Sequence, residues 1–92
     1  MRAYHGSVDV FVAIAHPVRR ELLERLTAGE LPAGRLAEAF TMSRPAISQH
    51  LDVLVDAGLV SERREGRARL YRLNPVALRE VREWVEQIYG AV

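Results

Sequence analysis

The chain has 92 residues, a formal net charge of +1, 49% apolar residues and 27% charged ones, the profile of one globular domain and not two. A chain this short buries only roughly 60–65% of the surface its unfolded form exposes, so its own core is small and a second copy would be a natural supplement. With no cysteine, disulfides, thiolate metal sites and thiol redox sensing are excluded.

In chain order, Val8–Ile14 is short and apolar and predicts a first helix. Pro17 stands where a second helix begins, a position at which the missing N–H costs nothing. Val18, Leu22 and Leu26 then recur every four residues as one apolar stripe, and Gly29 ends it. Pro32 is expected to open a short third helix with Leu36, Ala37 and Phe40 inward. Ser43 is a good N-cap for a fourth, whose apolar positions Ile47, Leu51, Leu54 and Val55 fall at i, i+4, i+7 and i+8. Gly58 stops that helix. The period then changes: Leu59–Glu65 and Ala68–Leu73 read as two strands around a tight Glu65-Gly66-Arg67 turn. Asn74-Pro75 closes the second strand and starts a last helix striped by Leu78, Val81, Val85 and Ile88, with Trp84 and Tyr89 beside the stripe. The order is α-α-α-α-β-β-α, mainly helical with a β-hairpin wing, in a single domain.

The span from about 33 to 57 is helix, short turn, helix, the arrangement that places its second helix in the major groove of DNA. The outward face of that helix carries Arg44, Ser48 and Gln49, with Ser43 at its start and His50 toward one side. Arg suits guanine, Gln suits adenine, and Ser suits either. A plain solvated face is the competing explanation, favoured by the carboxylates Asp52 and Asp56 one and two turns on. The hairpin, about 60–73, holds Arg63, Arg64, Arg67, Arg69 and Arg72 against Glu62 and Glu65. Every Lys or Arg position in the chain is Arg, the planar fork that fits phosphate and guanine. A charged edge hairpin protected against sheet pairing is the ordinary alternative. A hairpin directly after a helix-turn-helix favours a wing reaching phosphates or the minor groove.

His16-Pro17-Val18-Arg19-Arg20 with Leu22-Leu23, Leu36-Ala37, the run Ser43-Arg44-Pro45-Ala46-Ile47-Ser48-Gln49-His50-Leu51, Leu54 with Ala57-Gly58-Leu59-Val60, and Arg64-Glu65-Gly66-Arg67 with Tyr71 together resemble the ArsR family of winged helix-turn-helix regulators. The resemblance covers nearly the whole chain. It implies a bacterial repressor that dimerises through its first and last helices and binds inverted-repeat operators. Carried over by position, Ser43, Arg44, Ser48, Gln49 and His50 would face DNA from the recognition helix, and Arg64, Arg67 and Arg69 from the wing. A winged-helix module for binding protein is the alternative function.

Two departures from the family bear on cofactors. Where many relatives carry a Cys-x-Cys metal box, this chain reads Leu31-Pro32-Ala33-Gly34-Arg35-Leu36, and Asn74–Val92 holds neither Asp nor His. In the turn, Thr41 stands where glycine is common. The imidazoles are His5, His16 and His50, each in a different setting, whereas zinc needs three or four convergent ligands. His5 lies near the N-terminus, His16 either caps the second helix or packs locally, and His50 is placed for DNA. No metal or cofactor is expected. With no nucleophile elbow, no phosphate-binding loop and no paired carboxylates at an evident cleft, no enzyme is expected either. Glu80, Glu83 and Glu86 read as a solvated helix side.

The terminal helices, about 8–14 and 75–89, hold more apolar surface than a small core needs: Phe11, Ile14, Leu78, Val81, Trp84, Val85 and Ile88. With aromatics enriched at interfaces, these predict a homodimer. The longest apolar run, Val10–Ala15, is too short to span a bilayer, and the first residues lack signal-peptide architecture. The expected partners are therefore double-stranded DNA and a second copy, in the cytoplasm, with no membrane.

Overall fold

The computed structural model describes residues 8–91, so His5 and the N-terminal hexapeptide lie outside the described residues. The chain runs α1 (Val10–Ala13), α2 (Pro17–Arg25) with a 3-10 turn at Leu26–Ala28, β1 (Leu31–Pro32), α3 (Ala33–Ala37), α4 (Arg44–Asp56), β2 (Val60–Glu65), β3 (Ala68–Leu73), a 3-10 turn at Pro75–Leu78 and α5 (Arg79–Ala91). This is a winged helix-turn-helix, mostly helical with a hairpin wing.

Local chemistry sets most boundaries. Asp9 caps α1 by accepting from the Phe11 N–H at 2.7 Å. One helical turn cannot hold itself together in water. Two arginines from α2 secure it: Arg19 donates to the carbonyls of Ala13 (2.7 Å) and Val12 (3.3 Å), and Arg20 donates to Ile14 (2.7 Å). The first helix is thus shorter than the expected Val8–Ile14. His16 caps α2 through Nδ1, which accepts from the Val18 N–H at 3.2 Å, with Pro17 in the first turn. Ser43 caps α4 through Oγ, accepting from the Ala46 N–H at 3.3 Å. Gly58 leaves α4 at φ 78° and Gly66 turns the wing at φ 61°, left-handed values that glycine adopts without a Cβ clash. Glu65 pairs with Ala68 across a two-residue loop whose first residue alone has positive φ, the pattern of the type II′ hairpin.

Pro32 opens the third helix as expected, from its N-cap, but it also ends a strand that was not expected: Leu31-Pro32 forms β1, antiparallel to β3 with Leu31 opposite Tyr71 and Pro32 opposite Leu70. The sheet has three strands in the order β1-β3-β2. A proline at a sheet edge loses no ladder bond, which is why the residue serves as strand end and helix start together. Hydrogen bonds from Ala39 to Leu36 and from Phe40 to Ala37 continue α3 as a turn, leaving Thr41, Met42 and Ser43 to reach α4. Among the described residues no non-glycine has positive φ, so this turn is built without the glycine that Thr41 replaces.

The core lies where α2, α3, α4 and the sheet meet. Leu22, Leu26, Leu36, Ile47, Leu51, Leu54, Leu59 and Tyr71 are its largest fully buried side chains. Asn74 closes the base of the wing, its N–H donating to Leu59 at 2.8 Å and its side-chain amide to Gly58 at 3.0 Å.

Candidate nucleic-acid interface

Helix α4 buries Ile47, Leu51 and Leu54 and turns the opposite side out. Ser43, Arg44, Gln49 and Asp52 are exposed and Ser48 is half-buried, so the polar stripe expected from the sequence exists as a surface. Ser43 spends an oxygen lone pair on the cap, while its hydroxyl proton stays available. The Arg44 guanidinium lies back over α3, where a Cβ on Gly34 would stand 3.8 Å from Nη2.

His50 turns toward α2 rather than along the stripe. Its Nδ1 lies 3.2 Å from Arg19 Nη1 and its ring centroid 4.4 Å from that of His16. Burial first, then the neighbouring His16 and Arg19, push its imidazole below the ordinary value of 6.5. His16 and Arg19 belong to a motif that is local in sequence, and nothing in that motif signals that they meet α4.

The wing arginines divide into two kinds. On one sheet face, Arg63 forms a bidentate pair with Glu30 (2.9 and 2.8 Å) and reaches Glu65 at 3.1 Å. That pairing raises the Arg63 value and lowers the Glu30 carboxyl. On the other face, Arg69 is ion-paired with Glu62, lies 3.9 Å from Asp52 of α4 and stacks 5.8 Å from the Tyr71 ring centroid. The Tyr71 phenol donates to Glu62 at 3.2 Å, and burial, with Glu62 next, pushes it up to about 12. Arg64, directly opposite Arg69 on the same face, and Arg67 at the tip are exposed and have no ion pair among the described residues. The Arg69–Asp52 approach brings the wing's Arg64 face and the outward stripe of α4 together in one continuous polar surface. Asp52, which the sequence alone offers as a charge hostile to phosphate, thus has a cation 3.9 Å away.

The terminal helices divide as well. Phe11, Ile14, Leu78 and Val81 are half-buried against the chain's own core, whereas Trp84, Val85 and Ile88 are exposed by 51%, 47% and 54%. Tyr89, at 82%, extends that face, and Val12 and Val76 are open as well. Phe11 meets Trp84 edge-on at 5.6 Å, which docks α1 on α5. Among the described residues no group of three or more His, Cys, Asp or Glu could hold a metal ion, and no helix is long and apolar enough to cross a membrane.

A family model described as a helix-turn-helix domain matches residues 14–63, from the end of α1 into β2. The chain is 40% identical over 77 residues to the transcriptional repressor SdpR of Bacillus subtilis (strain 168), covering 84% of this chain and 86% of that one. It is 39% identical over 89 residues to the HTH-type transcriptional regulator Rv2034 of Mycobacterium tuberculosis (strain ATCC 25618 / H37Rv), covering 97% and 83%. It superposes on the crystal structure of a possible transcriptional regulator for arsenical resistance with a TM-score of 0.83 at 44% identity, covering 90% and 86%. The ArsR family transcriptional regulator RHA00566 superposes with a TM-score of 0.81 at 30% identity, covering 88% and 84%. The helix-turn-helix, the arginine wing and these likenesses agree, and the chain belongs to the ArsR family of winged helix-turn-helix, DNA-binding transcriptional regulators.

Proposed function

We propose that the chain acts as a homodimeric repressor occupying an inverted-repeat operator. The observation that carries this reading is the surface joined at Asp52 and Arg69: the exposed stripe of α4 and the open arginines of the wing lie side by side. In this reading α4 enters the major groove, Ser48 and Gln49 meet base edges, and Ser43 and Arg44 contact the flanking backbone or a base at the groove wall. Arg64 and Arg67, open at the wing, grip phosphate or the adjacent minor groove. Arg69, expected from the resemblance to contact DNA, is read instead as the clamp that sets the wing against α4.

The open face of α5 takes a second copy of the chain. Trp84, Val85, Ile88 and Tyr89 give a self-complementary apolar patch beside α1, and two-fold symmetry then presents two α4 helices to two half-sites. Several relatives are themselves named repressors, SdpR among them. Occupancy is read as independent of metal because the chain has no cysteine and no Asp or His in Asn74–Val92.

Selection of bound fragments from a random duplex pool tests the reading. Enrichment of an inverted repeat, bound by two copies of the chain in a gel shift, is the expected result. A pool that stays unenriched, while the chain captures a protein partner through the same α4 and wing surface, would replace it with the protein-binding function.

A further inference from the structure

We propose that Arg19 is a positioning residue that ties the recognition helix to α1 through His50, and that protonation of His50 releases the tie, so that acid weakens DNA binding. This rests on the reading of α4 as the recognition helix.

Arg19 uses three guanidinium nitrogens on three partners. Nε donates to the Ala13 carbonyl at 2.7 Å, Nη2 to the Val12 carbonyl at 3.3 Å, and Nη1 faces His50 Nδ1 at 3.2 Å. A guanidinium only donates, so His50 Nδ1 must accept, and the neutral ring carries its proton on Nε2. His16 is fixed in the same sense, because its Nδ1 accepts from the Val18 N–H. The two rings lie 4.4 Å apart with their planes at 48°. Among the described residues, the charged and titratable groups facing His50 are His16 and Arg19, both from the start of α2. The elements joined here are α1, α2 and α4, and α1 in turn rests on α5 through Phe11 and Trp84.

A proton on His50 Nδ1 would point at a cation. The hydrogen bond would be lost and replaced by repulsion from Arg19, with His16 close enough to add to it. Binding that needs the tie is therefore complete above the ordinary imidazole value of 6.5 and declines as pH falls below it, because the surroundings already hold the proton off. In a dimer the effect doubles: both recognition helices must meet half-sites at a fixed separation, and a tilt of either loses contacts. A His50 that served instead as a cationic phosphate contact would give the opposite sign, binding that tightens in acid.

The test uses the full chain. Long-range proton–nitrogen NMR of the imidazoles, without DNA, should show His50 with a bare Nδ1 and a protonated Nε2 at about pH 8. Affinity for a duplex selected from a random pool, at constant ionic strength, should fall on the order of tenfold between about pH 7.5 and 5.5. Arg19→Gln should weaken binding at the upper pH and flatten the profile, and Arg19→Lys should restore part of the affinity. His50→Gln should be flat in pH whatever its affinity. His16→Asn keeps a capping side chain and should retain the acid loss, with its midpoint moved upward. Affinity that rises in acid, an Nδ1-protonated His50, or an acid loss that survives in His50→Gln would each overturn the proposal. A chain that binds no duplex at any pH would overturn the function proposed above instead, with the NMR arm still deciding the tie.

Discussion

Helix α4 with the sheet and the terminal helix α5 treat their apolar side chains in opposite ways. In α4 every third or fourth residue, Ile47, Leu51 and Leu54, is sealed in the core, the helix packing on α2, α3 and β2. In α5 no residue is fully buried, though its apolar stripe is as regular, and Trp84, Val85, Ile88 and Tyr89 stay open. Both helices have 13 residues, so length does not separate them. One stripe finds its partners within the chain and the other faces outward past the edge of the small core, which teaches that an amphipathic period states a need for cover without saying whose cover it is.

The sharpest way to break the comparison is to charge the open stripe. Ile88→Asp should turn a dimer into a monomer in sedimentation, at a cost of about 3–5 kcal/mol for carboxylates buried without partners, while circular dichroism keeps its helix signal. A variant that sediments like wild type would show that α5 is not the cover. On the closed side, Leu51→Ala should cost about 2–5 kcal/mol in urea unfolding, and a loss under about 1 kcal/mol would mean that the α4 core is loosely packed.

Smaller effects sharpen the contrast on the DNA side. Gln49→Ala should cost about 1–3 kcal/mol on the selected duplex and little on a scrambled one, with Ser48→Ala acting in the same direction but less, since a hydroxyl makes one bond where an amide makes two. Arg67→Ala should make the slope of log affinity against log salt shallower by about 1 per phosphate lost, hence about 2 for a dimer. Arg69→Ala should weaken binding with that slope nearly intact, because its guanidinium is paired with Glu62 and lies 3.9 Å from Asp52. Equal slope changes in the two variants would place Arg69 on phosphate. The smallest effect is none at all: gel-shift affinity should be the same with chelator and with stoichiometric zinc, and a strong zinc response would point to ligands outside the described residues.

Much of the fold was legible because its signals are local. Ser43 as the cap of α4 and Gly58 as the stop of α4, His16 and Pro17 at the start of α2, and Gly66 in the wing each act within a few residues of themselves. The strand β1 was not legible, because two residues carry no period and their partner lies at Leu70 and Tyr71, far along the chain. The bounds of the short α1 were not legible for a related reason. Apolarity marks Val8–Ile14, but the carbonyls held by Arg19 and Arg20 decide where the turn ends.

The candidate interface divides along the same line. The sequence by itself determined the family's architecture, the outward polar stripe of α4 and an arginine-rich hairpin behind it, since residue type and period are properties of neighbouring positions. Only the tertiary structure decided which arginines are open. Arg63 and Arg64 are adjacent, chemically identical and both exposed, yet alternate strand faces send one to Glu30 and leave the other without an ion pair among the described residues. Arg69 is drawn to Asp52 by the packing of the sheet on α4. His50 likewise reads as a DNA contact in sequence and meets Arg19 and His16 in space. A side chain's type sets what it can bond, and its partner is chosen by segments the local sequence does not see.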